Sequence, residues 1–267
     1  MEMNSELSCA WDLKLQEQEQ GGNQIQLFPP SLDKLEITAL TDSVQSHLLS
    51  CLPAITELAI WHSPELTSLQ LGCCMALKKL EIGNCGSLAS IEGLKFTRNL
   101  TSLKVFRSPD LVSYLELVSH QQGASEIWSG LETLEIDDAS ILSMPFFKQL
   151  TSLTHLGFSP RGGEQRKSLV SLTGEQERAL QLLTSLQELI FSWYPNLLSL
   201  PANLHSLTSL ERLSIHACQS ITRLPDMGLP TSLRRLHLSC CSDELSMQCR
   251  IAATEKLRVI IDNQYVN

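Results

Sequence analysis

Cysteine and histidine side chains are the first candidates for chemistry in this sequence. Cys73–Cys74 and Cys240–Cys241 are adjacent pairs, whereas zinc sites usually take cysteines separated by intervening residues. Adjacent residues of a strand point to opposite faces, so neither pair is expected to supply two ligands to one ion. His216 and His237 are predicted to lie at equivalent positions of neighbouring strands, where they could bind a metal ion or sense pH. Most such histidines are solvated surface residues, and we therefore predict no metal and no cofactor.

Motifs of nucleotide binding and of catalysis are missing from the sequence. It contains no G-x-x-x-x-G-K-[ST] loop that could hold phosphate groups, and no G-x-S-x-G, H-E-x-x-H or H-R-D motif. The formal net charge of −9 and the pI of about 5.3 argue against nucleic acid as a main partner, because nucleic-acid binding needs a basic surface. We therefore predict that the protein is not an enzyme and binds neither nucleic acid nor a cofactor.

The sequence also predicts where the protein resides. It has no apolar run long enough for a membrane helix, and its acidic, polar N-terminus does not resemble a signal peptide. Its nine cysteines are an odd number and are expected to be reduced thiols. We predict a cytoplasmic protein without a membrane span, with the nucleus as the other compartment.

An internal repeat runs through most of the chain. The pattern L-x-x-L-x-[LIVF] recurs, and six of its eight successive spacings lie between 22 and 24 residues. Its starting residues, counted below as position 1 of each repeat, are Leu32, Ile55, Leu77, Leu100, Leu131, Leu153, Leu186, Leu210 and Leu233. A period of about 20–29 residues is typical of leucine-rich repeats.

The apolar positions within a repeat predict its local structure. In LERLSIHACQSITRLP (210–225), Leu213 and Ile215 at positions 4 and 6 alternate with polar residues, which is typical of a strand with one buried face. Ile221 and Leu224, at positions 12 and 15, are expected to fill the same core from the returning side. The predicted fold class is α/β: a leucine-rich-repeat solenoid, or horseshoe, with a parallel β-sheet on its concave face, mostly irregular or 3₁₀ convex returns, about nine repeats and a C-terminal cap strand.

Position 9 carries a small side chain in most repeats. These residues are Ser63, Cys85, Ser108, Ala139, Cys218 and Cys241. Tyr194 is an exception. A small residue is expected where the chain turns inward after the strand, and a buried cysteine acts there as a small hydrophobe with a weak donor. We therefore predict that the cysteines at this position are structural.

The repeat also predicts the domain organisation. Residues 1–27 lack the repeat and are predicted to be irregular or disordered, whereas residues 28–267 are predicted to form the repeat domain. The two longest spacings indicate insertions near residues 112–130 and 159–182. Insertions in repeat proteins often carry function, although mobile solvated loops are the other interpretation.

Short helices are predicted at two places. Thr173 and Gln176 match a capping box, which predicts a helix at about 174–183. Residues 42–51 are predicted to be briefly helical, with Asp42 as the cap.

The candidate binding residues follow from the predicted strands. Side chains at positions 3, 5, 7 and 8 are expected to face the concave side, where tryptophan and arginine are typical anchors for a protein partner. The candidates are Glu57, Trp61, His62, Lys79, Glu81, Lys104, Phe106, Arg107, Glu135, Asp137, Asp138, Glu188, Trp193, Arg212, His216, Arg235 and His237. The alternative is that each aromatic ring packs on the neighbouring repeat or under an inserted loop.

Several segments resemble one family of proteins. These segments are FPPSLDKLEI (28–37), ALKKLEIGNCGSLASIEGL (76–94), NLLSLPANLHSLTSLERLSIHACQSITRLPDMGLPTSLRRLHLSCC (196–241) and the tail MQCRIAATEKLRVIIDNQ. They look like the C-terminal leucine-rich repeats of plant nucleotide-binding leucine-rich-repeat disease resistance proteins, of the coiled-coil class and especially of grasses. The unit L-x-x-L-x-I-x-x-C-x-x-L-x-x-L-P is the specific part, and the resemblance covers about residues 28–267.

This resemblance implies a function that the residues alone do not. It implies a domain that senses a pathogen effector or a guarded host protein and that holds a nucleotide-binding module inactive. That module and the coiled coil are not in the sequence, so either Met1 is internal to a longer receptor or the repeats act in trans. The alternative function is a standalone adaptor, such as the substrate-recognition subunit of a ubiquitin ligase.

Overall fold

The structure is a computed structural model that describes residues 2–3, 32–50, 52, 54–119, 128–160 and 169–266. These residues divide into an N-terminal unit, Met1–Leu131, and a C-terminal unit, Glu132–Asn267. The predicted irregular segment 1–27 falls almost wholly outside the described residues, as does the basic, glycine-rich stretch at 161–168.

Parallel strands form the main sheet of the N-terminal unit. The strands of this unit are β1 (Glu2–Met3), β2 (Lys34–Thr38), β3 (Glu57–Trp61), β4 (Ser68–Gln70), β5 (Lys79–Gly83), β6 (Ser90–Glu92) and β7 (Ser102–Phe106). β1, β2, β3, β5 and β7 pair side by side in parallel, with equal repeat positions opposite each other from β2 onwards. Leucine, isoleucine and valine at positions 4 and 6 are buried, as the sequence pattern predicts.

The return segments of the N-terminal unit are more regular than predicted. β4 and β6 pair in parallel as a second, two-stranded sheet. The helices of this unit are α1 (Asp42–Ser50) and α2 (Pro109–Ser119), and a 3₁₀ turn spans Leu94–Phe96. Asp42 is the first residue of α1 rather than its cap. Its carboxylate instead accepts hydrogen bonds from Thr67 N at 3.1 Å and from Thr67 Oγ1 at 2.5 Å, which ties α1 to the next repeat.

The C-terminal unit continues the same architecture. Its strands are β8 (Thr133–Ile136), β9 (His155–Phe158), β10 (Glu188–Ser192), β11 (Arg212–His216), β12 (Arg235–Ser239), β13 (Arg258–Ile261) and β14 (Gln264–Val266). β8 to β13 are parallel in chain order, and β13 is the cap strand that the sequence predicts. β14 pairs with β13 in antiparallel register after a turn in which Asp262 and Asn263 have positive φ angles.

Helices and 3₁₀ turns form the returns of the C-terminal unit. The helices are α3 (Gly174–Gln181) and α4 (Asp243–Ala252), and 3₁₀ turns span Ala139–Ser143, Pro145–Gln149 and Leu204–Ser206. The predicted capping box is present: Thr173 Oγ1 accepts from Gln176 N, and Gln176 Oε1 accepts from Thr173 N at 2.9 Å. The repeat spacing, the parallel register and the buried leucines together establish a leucine-rich-repeat fold.

Serine and cysteine at position 9 bond to backbone groups where several of the strands end. Ser63 Oγ accepts from Leu40 N at 2.9 Å, and Ser108 Oγ accepts from Cys85 N at 3.3 Å. Cys218 is fully buried, and its thiol donates to the His216 carbonyl at 3.3 Å. Ser63 and Ser108 also donate from Oγ to the carbonyls two residues earlier, each at 3.1 Å, so Cys218 makes the same bond that serine makes in other repeats.

Tyr194 breaks the position-9 rule for a structural reason. The repeat before it has Arg161 at position 9, outside the described residues. The buried Tyr194 side chain reaches past that repeat, and its hydroxyl donates to the Asp137 carbonyl at 2.8 Å. Tyr194 thus joins the strand ends of two repeats that are separated by a third.

Position 8 adopts a left-handed backbone in most repeats, although no glycine stands there. Positive φ angles, between 50° and 64°, occur at Ala39, His62, Asn84, Arg107, Trp193, Ala217 and Cys240. The turn is held by main-chain atoms: Trp193 N donates to the His216 carbonyl at 2.8 Å, and His62 N donates to the Gly83 carbonyl at 2.9 Å. The side chains at position 8 therefore project outward at the edge of the sheet where the strands end.

Candidate functional site

The candidate residues lie on what we call the strand face, which comprises positions 3, 5 and 7 on one side of each sheet and the position-8 residues along its edge. Strands such as β3, β11 and β12 alternate buried residues with partly or fully exposed ones along this face. In the N-terminal unit, side chains of opposite charge stand next to each other at position 3 of neighbouring strands. Glu57 lies between Lys34 at 3.6 Å and Lys79 at 2.6 Å. The hydrogen bond from Lys79 lowers the pKa of Glu57, while partial burial opposes this shift.

Position 7 of the N-terminal unit forms an aromatic platform. Trp61, Gly83 and Phe106 lie opposite one another on β3, β5 and β7. Gly83 has no side chain, and the Trp61 indole occupies the space where its Cβ would be. The indole thereby reaches Phe106, with parallel rings whose centroids are 6.3 Å apart. Phe106 is only 1% exposed, so its ring supports Trp61 instead of offering its own surface.

Polar side chains at position 8 line the neighbouring edge. Arg107 Nη1 donates to Asn84 Oδ1 at 2.8 Å, and Asn84 Nδ2 lies 3.2 Å from His62 Nε2. Three successive repeats are thus linked at this edge by their side chains. Among the other N-terminal candidates, Glu81 lies opposite Lys104 at position 5 of β5 and β7.

Position 3 of the C-terminal unit holds a second charged row. Glu188 Oε2 lies 3.2 Å from Arg212 Nε and 3.3 Å from His155 Nε2. Arg212 also donates from Nη2 to His155 Nε2 at 3.0 Å. His155 was not among the sequence candidates, although it stands at the same position 3 as Glu188 and Arg212.

The two histidines do not lie at equivalent strand positions, and that prediction is wrong. His216 stands opposite Ser239 and His237 opposite Ser214, because they occupy positions 7 and 5 of their repeats. They are diagonal neighbours, and their rings meet edge to face with centroids 4.8 Å apart. Burial, and then the charge of His237, lowers the pKa of His216. The pair is therefore disfavoured in its doubly charged form.

Trp193 is the most exposed aromatic candidate. Its side chain is 53% exposed at position 8. It borders a shallow recess of about 390 Å³ at the strand ends of the C-terminal unit, lined by Ser159, Ser192, Trp193, His216, Ala217, Ser239 and Cys240. An exposed indole beside a recess can anchor an apolar group of a partner.

The remaining candidates differ in their surroundings. Asp138 does not share the left-handed turn, since its carboxylate accepts from Ser140 N at 2.9 Å and caps a 3₁₀ turn. Asp137 is half-buried, as is Glu135. Arg235 is exposed on β12. Sequence analysis missed Arg258 on β13, although its spacing of 23 residues from Arg235 places it at position 3 of a further repeat.

Two further observations concern metals and membranes. Within the described ranges, no group of three or more His, Cys, Asp or Glu side chains could hold a metal ion. The cysteines described by the structure are free thiols. None of the described helices is long and apolar enough to cross a membrane.

Comparison with known sequences gives one informative similarity. No protein-family model matches the chain. The Arabidopsis thaliana disease resistance protein RPS4B is 27% identical to it in an alignment 266 residues long, and the alignment covers 89% of this chain. The chain spans 22% of the length of that relative. The similarity agrees with the resemblance to plant resistance proteins, whereas the coiled-coil class and the grass origin stay predictions.

Solved structures align with most of the chain, but with low TM-scores and low sequence identity. Human trophoblast glycoprotein aligns with a TM-score of 0.47 at 17% identity, over 91% of this chain and 82% of that one. The leucine-rich repeat-containing protein LegL7 of Legionella pneumophila aligns with a TM-score of 0.42 at 10% identity, over 90% and 87% of the two chains. Neither TM-score is high enough to bear on what this chain does.

Proposed function

We propose that this chain is the recognition domain of a plant intracellular immune receptor. It binds a pathogen effector or a guarded host protein, and it restrains the nucleotide-binding module of the same receptor in the cytosol or nucleus. The similarity to a disease resistance protein supports the immune context. The leucine-rich-repeat fold supports a protein-binding role, since such solenoids present extended surfaces to partners. We assign the chain a binding role and no catalytic one.

The exposed aromatic side chains are the observation that carries the proposal. Trp193 is 53% exposed and borders a recess, and the half-buried Trp61 lies on a platform of Gly83 and Phe106. Tryptophan is enriched among residues that dominate binding energy, and a ring held in place loses little entropy when a partner docks. Both rings are surrounded by charged or polar side chains that would form the rim of an interface.

Restraint and sensing both depend on the equilibrium between a closed and an open form of the receptor. The domain contacts the nucleotide-binding module in a closed receptor, and a partner that binds the open receptor more tightly shifts the population towards it. A hundredfold preference for the open form corresponds to about 2.7 kcal/mol, which is within the range of known coupling energies.

A binding screen with matched variants tests the proposal. Purified secreted pathogen proteins and host proteins are tested by biolayer interferometry against the wild-type chain and a Trp61→Ala/Trp193→Ala variant. The control is Leu117→Ala/Ile251→Ala, which removes exposed apolar side chains from α2 and α4, outside the strand face. We expect partners of the wild type to bind the tryptophan variant at least about tenfold more weakly, and the control equally well. Far-UV circular dichroism confirms that both variants are folded.

The opposite result would place the partner elsewhere. If a partner binds the folded tryptophan variant as tightly as the wild type, the strand face is not the recognition surface. If no protein of either panel binds the wild type, the sensing role itself is contradicted.

A further inference from the structure

Arginine occupies position 3 on three successive strands of the C-terminal unit. Arg212, Arg235 and Arg258 are each 23 residues apart. They stand directly opposite one another on β11, β12 and β13. Neighbouring strands are about 4.8 Å apart, so the three guanidinium groups start from closely spaced Cα atoms on one face. Like charges directly opposite each other on a sheet destabilise it.

The outward positions of β11 to β14 contain no acidic residue, and Glu188 on the neighbouring strand β10 pairs with Arg212 at one end of the row. We call this surface the basic face and define it as the outward positions of β11 to β14: Arg212, Ser214, His216, Arg235, His237, Ser239, Arg258, Ile260 and Tyr265. Asp262, in the turn after β13, is already engaged, since its Oδ1 accepts from Cys240 N at 2.9 Å. The basic face therefore contrasts with the net charge of −9 of the whole chain.

Two of the three arginines keep their charge exposed. Arg212 is held by Glu188 at 3.2 Å. Arg235 and Arg258 are exposed, and within the part of the chain that the structure describes neither has a carboxylate at ion-pair distance. Arg234, which precedes Arg235, does approach a carboxylate, with its Nε 4.0 Å from Glu211 Oε1. Glu188 thus neutralises Arg212 at one end of the row, and Arg235 and Arg258 stay accessible to an external anion.

An apolar site adjoins these two arginines. Ile260 follows Arg258 on the same face of β13, and Tyr265 lies opposite Ile260 on β14. Tyr265 is 71% exposed and Ile260 is half-buried. The distance from Arg258 to Ile260 along the strand is about 7 Å, so one short segment can reach both.

We propose that the basic face binds an acidic segment of the partner protein. Carboxylates of that segment pair with Arg235 and Arg258, and an adjacent apolar side chain packs on Ile260 and Tyr265. Guanidinium groups suit this role because they form two parallel hydrogen bonds to a carboxylate. The inference rests on the proposed function and gives the chemistry of the partner that this function requires.

Peptide selection followed by charge-matched variants tests the inference. A random linear peptide library is selected on the wild-type chain, and the enriched peptide is resynthesised with fluorescein, together with its isostere in which Glu and Asp become Gln and Asn. We expect acidic peptides with an apolar residue beside the acidic ones. Fluorescence anisotropy should show binding about tenfold weaker to Arg235→Gln/Arg258→Gln, since each exposed pair contributes up to about fivefold. Binding of the peptide to the wild type should also weaken as the salt concentration rises from about 0.05 to about 0.3 M.

The control removes the same charge elsewhere on the protein. Arg223→Gln/Arg250→Gln has two exposed arginines replaced outside the basic face and should bind the peptide as the wild type does. Peptides without acidic residues, acidic peptides that bind both variants equally, or a single-stranded RNA that competes as well as the peptide would each overturn the inference. These outcomes leave the proposed function standing, because it is judged by the tryptophan variant. A selection that yields no peptide also overturns the inference.

Discussion

Replacing Gly83 by alanine should destabilise the N-terminal unit, contrary to what alanine usually does in a strand. At a strand position without positive φ, Gly→Ala ordinarily stabilises by about 0.4–1 kcal/mol because it restricts the unfolded chain. Here the new Cβ would overlap the six-membered ring of Trp61. The indole must move, and it then loses its parallel contact with Phe106.

The size of the effect follows from these contacts. Loss of the ring stacking costs about 0.5–1.5 kcal/mol. Re-exposing about 80 Å² of ring surface, chiefly on the buried Phe106, costs about 2 kcal/mol more. After subtracting the alanine gain, we expect Gly83→Ala to lower the free energy of unfolding by about 2 kcal/mol.

A double-mutant cycle makes the expectation sharper. In a Trp61→Ala background the ring is gone, so Gly83→Ala should stabilise by about 0.4–1 kcal/mol and the sign of its effect should reverse. Urea unfolding followed by far-UV circular dichroism measures all four proteins. If Gly83→Ala stabilises the wild type, or has the same sign in both backgrounds, the indole does not lie over Gly83 and the aromatic platform is refuted.

Three further expectations concern the core of the C-terminal unit. Tyr194→Phe should lower the free energy of unfolding by about 1 kcal/mol, since it removes the hydrogen bond to the Asp137 carbonyl. Burial, and then the carboxylates of Asp138 and Asp137, raises the pKa of Tyr194, so the folded state favours the neutral phenol. The free energy of unfolding of the wild type should therefore fall as the pH rises above about 10, and that of Tyr194→Phe should fall less. Urea titrations that show the same pH dependence for both proteins would contradict this expectation. Cys218→Ser should change the free energy of unfolding by less than about 1 kcal/mol. Cys218→Leu should lower it by about 1–3 kcal/mol, because the larger side chain overpacks the site. Similar melting temperatures for the two variants would show that position 9 is not tightly packed. Leu213→Asp should unfold the unit because it buries an unpaired charge, and a native circular dichroism spectrum would disprove the strand register.

The repeat made much of the fold predictable from the sequence. Spacings of 22–24 residues, with leucine at position 4 and apolar residues at positions 1 and 6, predicted the parallel strands and their buried face. The small residue at position 9 predicted the inward turn, and Ser63 and Cys218 make the expected contacts there. Both predictions succeed because each repeat solves the same packing problem with residues close in sequence.

Other features depend on residues that are close only in space. The burial of Phe106 requires Trp61 to cross Gly83, and no property of a single repeat reveals that crossing. His216 and His237 stand at positions 7 and 5 of their repeats, so the repeat count alone separates them, whereas the contact of their rings depends on the sheet. Arg258 was overlooked because the cap strand was judged by its apolar residues alone, although its 23-residue spacing from Arg235 was visible.

The left-handed turn at position 8 has a consequence for how such a surface can change. The turn is fixed by hydrogen bonds between main-chain atoms, and it accepts side chains as different as those of Ala217, Trp193 and Asn84. The backbone therefore fixes the conformation at this position, and the side chain sets the chemistry of the edge. Single substitutions there can exchange one anchor for another while the hydrophobic core stays intact. Where this turn occurs, the side chain at the edge can therefore change without loss of the fold, and under the proposed function such changes would alter which partners bind.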